Sequence, residues 1–341
     1  MRLVAGKSDM SVRKKFSLSS ALEDWFAAVK RPMPWRRRPT PYGCWLSEIM
    51  MQQTTYAAVL PYYERFLKKF PTVEKLAAAD ESEVLKAWEG LGYYARARNL
   101  LKAARQIVGN APQSGRQLPT WPRTAAEWAQ VPGVGPYTAA ALASVLAGER
   151  VPVVDGNVAR VFARAWELSD DFTKLPARAK LAERLRPEIA KCRAPGDFNQ
   201  AMMELGACVC TPKNPACGEC PLAAVCQARM TGTQADYPVR SKKKPLPVRR
   251  ETAIIVRDAK GRVLLVQNRE GGLLKGLWEL PTVEPVPEVT QVFSHFKLEQ
   301  RNFTAIRRDA EFRDPKTVPL TTATRRALGL VQRGNRPWCA K

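Results

Sequence analysis

Residues 126–148 read AEWAQVPGVGPYTAAALASVLAG, and this stretch decides the fold of the surrounding domain. Apolar residues recur at helical spacing on both sides of the turn VPGVG, which contains Pro132, Gly133 and Gly135. Proline ends the first helix, and the two glycines permit positive φ and a close approach of the backbone. The stretch therefore predicts a helix-hairpin-helix over residues 125–147, and the start of its second helix can hold a phosphate.

A glycine-rich turn can also be a simple connector between helices, so the composition of the whole chain has to distinguish a phosphate-binding hairpin from a connector. The 341 residues carry 55 Lys and Arg against 32 Asp and Glu, which gives a net charge of +23 and a pI near 10.0. This excess predicts a polyanionic partner, and nucleic acid is the first candidate. We expect Gly133, Val134, Gly135 and Tyr137 to form a hairpin that contacts DNA phosphate.

No run of eighteen apolar residues is present to span a membrane, and the start MRLVAGKSDM does not resemble a secretory signal. We therefore expect no membrane partner and a reducing, cytoplasmic location, associated with the nucleoid if the source is bacterial. Residues 1–19 are basic and contain several serines. They fit a disordered or DNA-contacting tail better than a transit peptide.

Four cysteines follow the spacing C-x6-C-x2-C-x5-C at Cys210, Cys217, Cys220 and Cys226. They lie too close together for a disulfide framework and suit one metal centre. Zinc sites usually use two C-x2-C pairs or include histidine, and the single histidine, His295, is far away in sequence. A 4Fe-4S cluster tolerates uneven spacing because each thiolate binds a different iron, so we predict that cofactor.

The alternative for the same cysteines is a group of four reduced, buried thiols. Cys208, two residues before Cys210, is a possible competing ligand. We interpret Cys44, Cys192 and Cys339 as ordinary thiols.

The chain divides at a basic, proline-rich linker, residues 237–250. Residues 20–236 show helical periodicity, for example in ALEDWFAAV, YGCWLSEIMMQQTTYAAVLPYYERFL and ARARNLLKAARQIV. They are expected to form an all-α domain with the cysteine loop at 208–226. Residues 251–341 change to strand periodicity and predict a small α+β domain. Its expected elements are a hairpin in ETAIIVRDAKGRVLLVQNRE, strands in QVFSHFKLEQ and NFTAIRR, and a closing helix in TTATRRALGL.

Asp155 ends the apolar run VPVVD, and Gly156 opens the next helix. Aspartate is a favoured N-cap, and capping alone would explain it. The functional interpretation is a carboxylate near the bound sugar-phosphate, where it stabilises a developing cation on the sugar. We favour the functional interpretation because the preceding hairpin would deliver a sugar-phosphate to this place.

Taken in order, VPGVGPYTA, the Asp155 of VVDGN and the cysteine loop resemble the helix-hairpin-helix base-excision glycosylases related to endonuclease III. Four further parts narrow the resemblance to the adenine DNA glycosylases of the MutY type: PMPWRRRPTPYGCWLSEIMMQQT, EGLGYYARARNL, FNQAMMELGACVC and the C-terminal region. The resemblance covers nearly the whole chain beyond about residue 20. It implies a helix-hairpin-helix glycosylase domain with a 4Fe-4S loop, followed by a Nudix-like (MutT-like) domain.

The resemblance also implies the catalytic pair. Glu48 would protonate adenine at N7 as it leaves, and Asp155 would steady the oxocarbenium-like sugar. Trp45, Leu46, Ile49 and Met50 surround Glu48 in sequence, so we expect burial to raise its pKa. Asp155, at a helix N-terminus, is expected to stay ionised. The alternative for Glu48 is an ordinary residue on a helix surface.

The base must leave the stack to reach this chemistry. By resemblance, the residues that enter the duplex are Gln53, Thr54, Leu91 and Tyr93. Those that line the adenine pocket are Trp35, Arg36 and Gln200. Leu91 and Tyr93 could instead be core residues, although Gly90 and Gly92 favour an exposed turn.

In the C-terminal domain, Phe293, Ser294 and His295 match an F-S-H loop that contacts 8-oxoguanine in the family, while Lys297 departs from it. The alternative is a β-turn with a buried aromatic. Residues 271–288 lack the R-E-x-x-E-E metal-binding helix of a Nudix hydrolase, so nucleotide hydrolysis is not expected.

We expect a monomeric, monofunctional glycosylase that removes adenine opposite 8-oxoguanine or guanine in double-stranded DNA and leaves an abasic site. Tyr137 stands where lyase members have a lysine, which predicts no strand cleavage. The alternatives are an endonuclease III-like glycosylase and lyase acting on oxidised pyrimidines, a non-catalytic DNA-binding protein, and a nucleotide-pool hydrolase.

Overall fold

The computed structural model of the chain describes residues 16–109, 119–241, 252–253, 255–269, 274–283 and 310–330. The described chain divides into two compact units. One consists of the described residues within 1–48 and 121–243, and the other of those within 49–120 and 244–341. The predicted domain boundary at residues 237–250 stays a prediction.

Helices dominate both units. In chain order they are α1 (Leu18–Val29), α2 (Pro34–Arg37), α3 (Pro41–Met51), α4 (Tyr56–Lys69), α5 (Val73–Ala77), α6 (Glu81–Trp88), α7 (Ala95–Gly109), α8 (Ala125–Trp128), α9 (Pro136–Ala147), α10 (Gly156–Ala165), α11 (Leu175–Lys191), α12 (Pro195–Cys208), α13 (Gln227–Thr231) and α14 (Thr322–Ala327). Short 3₁₀ turns lie at Cys217–Glu219 and Gln234–Asp236.

Local capping sets many of these helix starts. The side chains of Ser17, Thr55, Thr124 and Asp155 each accept a hydrogen bond from a backbone N–H in the first turn of the helix that follows. Such a bond satisfies a donor that the helix itself cannot, and typically stabilises it by about 1 kcal/mol. The ends of these helices are therefore encoded locally.

The core of the first unit lies between α1, α10, α11 and α12. Leu22, Phe162, Leu185 and Phe198 are fully buried there, and burying each such side chain contributes roughly 1.5–3 kcal/mol. Gly206 lets α12 approach the start of α10, since a Cβ at this position would lie 2.6 Å from Asn157 Cβ. Close packing of these helices brings the functional side chains of α10 and α12 into one region.

The predicted hairpin is present between α8 and α9. Gly133 has φ of +80°, as expected, and Pro136 occupies the first turn of α9. Gly135 differs from the expectation: it is the N-cap of α9, with an extended φ of −85°. A Cβ at Gly135 would meet no atom within 4 Å, so neither its backbone conformation nor packing within the described residues requires glycine there.

The second unit contains α4 to α7. The long helical pattern of residues 42–67 is divided here: α3 ends at Met51, and α4 begins at Tyr56 after its cap Thr55. Between them Gln53 has φ of +57°, which a continuing helix cannot accommodate. The helical spacing of apolar residues continues across this turn, so the sequence pattern does not predict the break.

The second unit also contains short strands from the C-terminal region. They are β1 (Thr252–Ala253), β2 (Val263–Gln267), β3 (Trp278–Glu279), β4 (Thr282–Val283) and β5 (Glu311–Arg313). Strand β1 pairs with β4, and the order β3-β2-β5 forms a second sheet, with every pairing antiparallel. The predicted hairpin is present in part: an isolated bridge joins Arg257 to Val263 across the turn at Gly261, whereas β1 pairs with β4.

The predicted closing helix is α14. The segments QVFSHFKLEQ and NFTAIRR lie outside the described residues. The small sheets observed do not by themselves establish a Nudix-like fold.

Residues 310–330 dock on the end of α6 and the turn that follows it. Lys86 Nζ donates to Val318 O at 2.9 Å, and Tyr94 donates its hydroxyl to Leu320 O at 3.1 Å. Leu320 N donates in return to Glu89 Oε1 at 3.1 Å. This C-terminal segment therefore supports the turn at Gly90–Tyr93 from one side.

Among the helices that the structure describes, none combines the length and apolar character needed to cross a membrane.

Candidate active site and cysteine cavity

Helix α3 carries Glu48 in an apolar setting. Its neighbours Trp45, Leu46 and Met50 are fully buried, and Glu48 itself is partly buried. The pKa of Glu48 is raised to about 7, because burial raises it strongly, Arg36 lowers it in part, and the charge of Asp155 raises it again. The expected direction is confirmed, and the carboxyl is poised to hold or release a proton near neutral pH.

Asp155 caps α10. Val158 N donates to Asp155 Oδ1 at 2.7 Å, and Asn157 Nδ2 donates to Asp155 Oδ2 at 2.8 Å. Burial raises the pKa of Asp155 above its ordinary value, whereas these two hydrogen bonds favour the charged form. The expectation that Asp155 stays ionised at the helix N-terminus remains a prediction, because burial acts against the hydrogen bonds that favour its charged form.

Tyr137, at the start of α9, lies close enough to both carboxyls to feel their charges. Burial, then Glu48 and Asp155, raise the pKa of this phenol well above 10. Its hydroxyl donates to Met203 Sδ at 3.0 Å. The structure thus brings together three groups: the carboxyl of Glu48 on α3, the phenol of Tyr137 on α9 and the carboxyl of Asp155, the N-cap of α10.

Aromatic contacts join α3 to the hairpin. The ring of Trp121 lies 6.0 Å from that of Trp45 and 6.1 Å from that of Trp128. Trp45 and Trp128 are fully buried, and their shared contact with Trp121 links α3 to α8. The row of tryptophans thereby helps to hold Glu48 beside the hairpin.

Arg36 forms a network with α12. Its Nε donates to Gln200 Oε1 at 2.7 Å, and its Nη2 donates to Glu204 Oε2 at 3.0 Å. Arg31 pairs with the same Glu204 carboxylate, which is 3% exposed. Trp35 is buried nearby in sequence. Arg36 and Gln200 are therefore in direct contact, and their place in an adenine pocket stays a prediction.

Glu204 was missed in the sequence. Its signal was its position four residues after Gln200, which puts both on one face of α12. Paired with two arginines, Glu204 holds the Arg36 guanidinium in one orientation.

The predicted insertion residues lie on two turns of the second unit. Gln53 is exposed with φ of +57°, and Tyr93 is 53% exposed with φ of +48°. Thr54 is partly buried. Leu91 is only 7% exposed, so the bracketing glycines do not present it to solvent in this state, and it packs as a core residue.

In the predicted phosphate hairpin, Gly133 and Gly135 are exposed, and Val134 is buried beneath them. Phe293, Ser294 and His295, predicted to contact 8-oxoguanine, lie outside the described residues.

Cys210, Cys217, Cys220 and Cys226 line one cavity, and none of the four forms a disulfide. The thiols are close enough for mutual charge effects, and burial raises the pKa of Cys220 to about 11. In the described residues, no three His, Cys, Asp or Glu side chains gather tightly enough to hold a single metal ion. Cys208 does not line this cavity, and Cys44 and Cys192 are buried elsewhere.

Two arginines of α10 face the cysteine loop and were missed in the sequence. Arg164 Nη1 donates to Cys210 Sγ at 3.4 Å, and Arg160 Nε donates to Cys210 O at 2.8 Å. Their spacing of four residues is the signal that could have revealed a shared face. Cationic donors beside thiolates fit the charge of an iron–sulfur cluster.

Two family models match the chain. Residues 46–187 match the HhH-GPD superfamily base excision DNA repair proteins, and residues 210–226 match the iron–sulfur binding domain of endonuclease III. The second match begins at Cys210 and ends at Cys226. The cofactor is accordingly a 4Fe-4S cluster, as predicted.

Curated relatives give the narrower assignment. The human adenine DNA glycosylase is 36% identical over 320 residues, covering 77% of this chain and 57% of its own length. The rat adenine DNA glycosylase is 34% identical over 358 residues, covering 81% and 68%. The chain thus spans between about half and two-thirds of the length of these relatives.

Among solved structures, a thermostable thymine-DNA glycosylase matches with a TM-score of 0.54 and 26% identity. It covers 66% of this chain and 98% of its own. The helical fold, the hairpin and the cysteine motif agree with these likenesses. By sequence and fold, the chain belongs to the adenine DNA glycosylase family, within the helix-hairpin-helix superfamily of base-excision repair proteins.

Proposed function

We propose that the protein is a monofunctional DNA glycosylase that removes adenine mispaired with 8-oxoguanine or guanine, by hydrolysis of the N-glycosidic bond. The observation that carries this proposal is the proximity of Glu48 and Asp155, two carboxyls in unlike environments that both raise the pKa of Tyr137. Two carboxyls of this kind are what glycoside hydrolysis uses. The names of the human and rat relatives support adenine as the base.

Glu48 is the general acid in this proposal. Adenine leaves poorly as an anion, so a proton has to reach N7 as the bond breaks. A pKa of about 7 keeps a useful fraction of Glu48 protonated at neutral pH and leaves it acidic enough to donate.

In this proposal Asp155 is the ionised carboxylate that stabilises the sugar. The hydrogen bonds from Val158 and Asn157 fix its two oxygens and favour the charged form against burial. A fixed negative charge stabilises the positive charge that develops on the sugar. Water attacks the sugar on this side, and the product is an abasic site in an intact strand.

The base reaches this pair by leaving the helix stack. Trp35, Arg36 and Gln200 form the adenine pocket, in which Glu204 holds Arg36 still. Gln53, Thr54 and Tyr93 enter the vacated duplex. Leu91 does so only if its turn moves, because it is buried in the described structure.

DNA binding rests on charge and on the hairpin. Gly133, Val134, Gly135 and Tyr137 present the start of α9 to a phosphate, and the net charge of +23 attracts the duplex. The protein acts as a monomer on double-stranded DNA. Its place is the cytoplasm, at the nucleoid in a bacterium.

The four cysteines Cys210, Cys217, Cys220 and Cys226 are the ligands of the cluster. When bound, the cluster supplies structural cross-linking of this loop. Arg160 and Arg164 hold the backbone and sulfur of Cys210, and Lys213 is exposed on the loop to meet phosphate.

The direct test is base release from a duplex with one 8-oxoguanine:adenine pair, followed by alkali to reveal abasic sites. Release of adenine with an intact strand before alkali supports the proposal. Cleavage of a thymine-glycol duplex instead would support the lyase alternative. Binding without turnover would mean a non-catalytic protein.

A pH profile tests the acid role. Because Glu48 must be protonated and its pKa is about 7, we expect the single-turnover rate to fall above pH 7, approaching tenfold per pH unit. A rate that stays flat from pH 6 to pH 9 would remove Glu48 as the acid.

We propose that residues 251–341 form a Nudix-like domain that reads the lesion through Phe293, Ser294 and His295. The double change Ser294→Ala, His295→Ala is expected to reduce the preference for 8-oxoguanine over guanine opposite adenine, measured as the ratio of single-turnover rates. Iron content and the guanine:adenine rate should stay near native. An unchanged ratio would assign lesion reading to the helical part.

Tyr137→Lys tests the absence of lyase chemistry. The new amine would lie beside Asp155 and the sugar, where it can form a Schiff base. We expect some DNA adduct trapped by borohydride, and strand nicking, in the variant but not in the native protein. Efficient trapping by the native protein would mean that another lysine serves as nucleophile. Adenine release without any trapping in the variant would refute the inference that residue 137 lies beside the sugar.

A further inference from the structure

The strongest unexplained feature is Arg96, a guanidinium that is 8% exposed near the start of α7. Among the described residues, no carboxylate forms an ion pair with Arg96, and burial lowers the pKa of its guanidinium to about 10. A buried cation without an acid is costly, so its hydrogen bonds have to account for its presence.

One nitrogen of Arg96 holds the first turn. Arg96 Nη1 donates to three carbonyl oxygens at the end of α3: Ile49 O at 3.0 Å, Met50 O at 2.8 Å and Gln52 O at 2.6 Å. These are acceptors that the helix leaves unsatisfied, at the negative end of its dipole. Arg96 is thus the C-terminal cap of α3 and the anchor of the turn at Gln53.

The second terminal nitrogen of Arg96, Nη2, holds the second turn. Arg96 Nη2 donates to Leu91 O and Gly92 O, both at 3.2 Å, and to Thr54 Oγ1 at 3.2 Å. The guanidinium also lies 5.6 Å from the centre of the Tyr93 ring, a cation–π contact. The two turns are therefore tied to one another through a single planar group.

Both turns contain a non-glycine residue at positive φ, Gln53 at +57° and Tyr93 at +48°. Such conformations are unfavourable and persist only where neighbouring structure enforces them. Both of these residues are exposed, whereas the group that enforces them is buried beneath. Strain at two exposed side chains, held from below by one cation, is typical of a preorganised contact surface.

We infer that Arg96 is a positioning residue that presets the two turns bearing Gln53 and Tyr93 for simultaneous entry into the duplex. This inference rests on the proposed function. Lysine cannot replace arginine here, because an ammonium lacks the planar fork that spans both turns.

The test uses the full-length protein with Arg96→Lys, and Arg105→Lys as the matched control. Arg105 lies on the same helix and also donates to backbone carbonyls, Ala77 O at 3.1 Å and Ala79 O at 3.0 Å, away from both turns. Two measurements are made on each variant: hydrogen exchange of residues 52–55 and 91–94 without DNA, and single-turnover adenine release with DNA.

Adenine release is compared on two duplexes, one with 8-oxoguanine opposite the adenine and one with a tetrahydrofuran abasic analogue there. The second adenine is already unpaired and needs less help from inserted side chains. We expect Arg96→Lys to be slower by roughly tenfold or more on the first duplex, the cost of a charge-assisted hydrogen bond. On the second, the defect should shrink to a few fold. Because both rates come from one preparation, the folded fraction cancels in their ratio.

Faster exchange in both turns together, with Arg105→Lys unchanged, is the other expected result. Equal defects on the two duplexes would reduce Arg96 to a structural residue and overturn the inference. So would exchange that rises in one turn only, or Arg96→Lys protein that fails to fold while Arg105→Lys folds. If the native protein releases no adenine, the proposed function fails, but the exchange measurement still decides whether Arg96 joins the turns.

Discussion

Glu48→Gln is expected to abolish adenine release while duplex binding stays within a few fold of native. General acid catalysis typically contributes roughly 10²–10⁴-fold, and a leaving group as poor as adenine should place the loss at the upper end. Glutamine keeps the shape and hydrogen-bonding capacity of the side chain but cannot donate the proton. Binding depends on phosphate contacts and on the exposed turns, which the substitution leaves intact.

The measurement is single-turnover release from the 8-oxoguanine:adenine duplex, with binding followed in parallel. Glu23→Gln is a matched control, since Glu23 is a buried glutamate outside the site whose Oε1 accepts a hydrogen bond from Ala194 N at 2.8 Å. Retention of more than a few per cent of the native rate by Glu48→Gln would move the acid role to another group.

The same variant gives a stability signature with a defined sign. The pKa of Glu48 is raised from 4.5 to about 7, so its stabilising contribution is complete below pH 4.5 and is lost as pH rises through 7. Glutamine carries no ionisation to bury. The melting temperature of Glu48→Gln relative to native is therefore expected to increase between pH 5 and pH 8, and a constant difference would contradict the burial of this carboxyl.

Cys217→Ser has the second large expected effect: loss of most of the iron and of the yellow-brown colour of the purified protein. A cluster bound by four thiolates is part of the folded state, so its binding free energy contributes to folding. We expect the free energy of unfolding to fall by on the order of several kcal/mol, with loss of DNA binding by this loop.

Iron analysis, absorbance and thermal unfolding check this result. Cys192→Ser is the matched control, because Cys192 is a buried cysteine of the same unit that does not line the cavity. Zinc in place of iron in the native protein, or full colour in Cys217→Ser, would refute the assignment of these ligands.

Much of the fold could be predicted because its signals are local. The hairpin depends on Pro132 and Gly133, and the helix start at Asp155 depends on one side chain bonding to an N–H three residues later. The spacing of the four cysteines is likewise a property of one short loop. Such signals act within a turn or two of the chain, so sequence alone carries them.

The broken helical run before α4 was not predicted. Apolar spacing continues across Gln53, whereas the turn there is tied by hydrogen bonds from Arg96, more than forty residues later in the chain. In the same way, the sequence does not distinguish buried Leu91 from exposed Tyr93, because the surroundings of this turn come from distant segments.

By itself, the sequence determined the hairpin, the cysteine motif, the role of Asp155 as a helix N-cap and the apolar setting that raises the pKa of Glu48. Only the tertiary structure decided the charge environment: Glu204 behind Arg36, and Tyr137 close to both carboxyls. The physical reason is range. Capping and periodicity act between near neighbours in the chain, whereas desolvation and Coulomb forces depend on groups that packing brings together, such as Arg36 and Glu204, which are 168 residues apart.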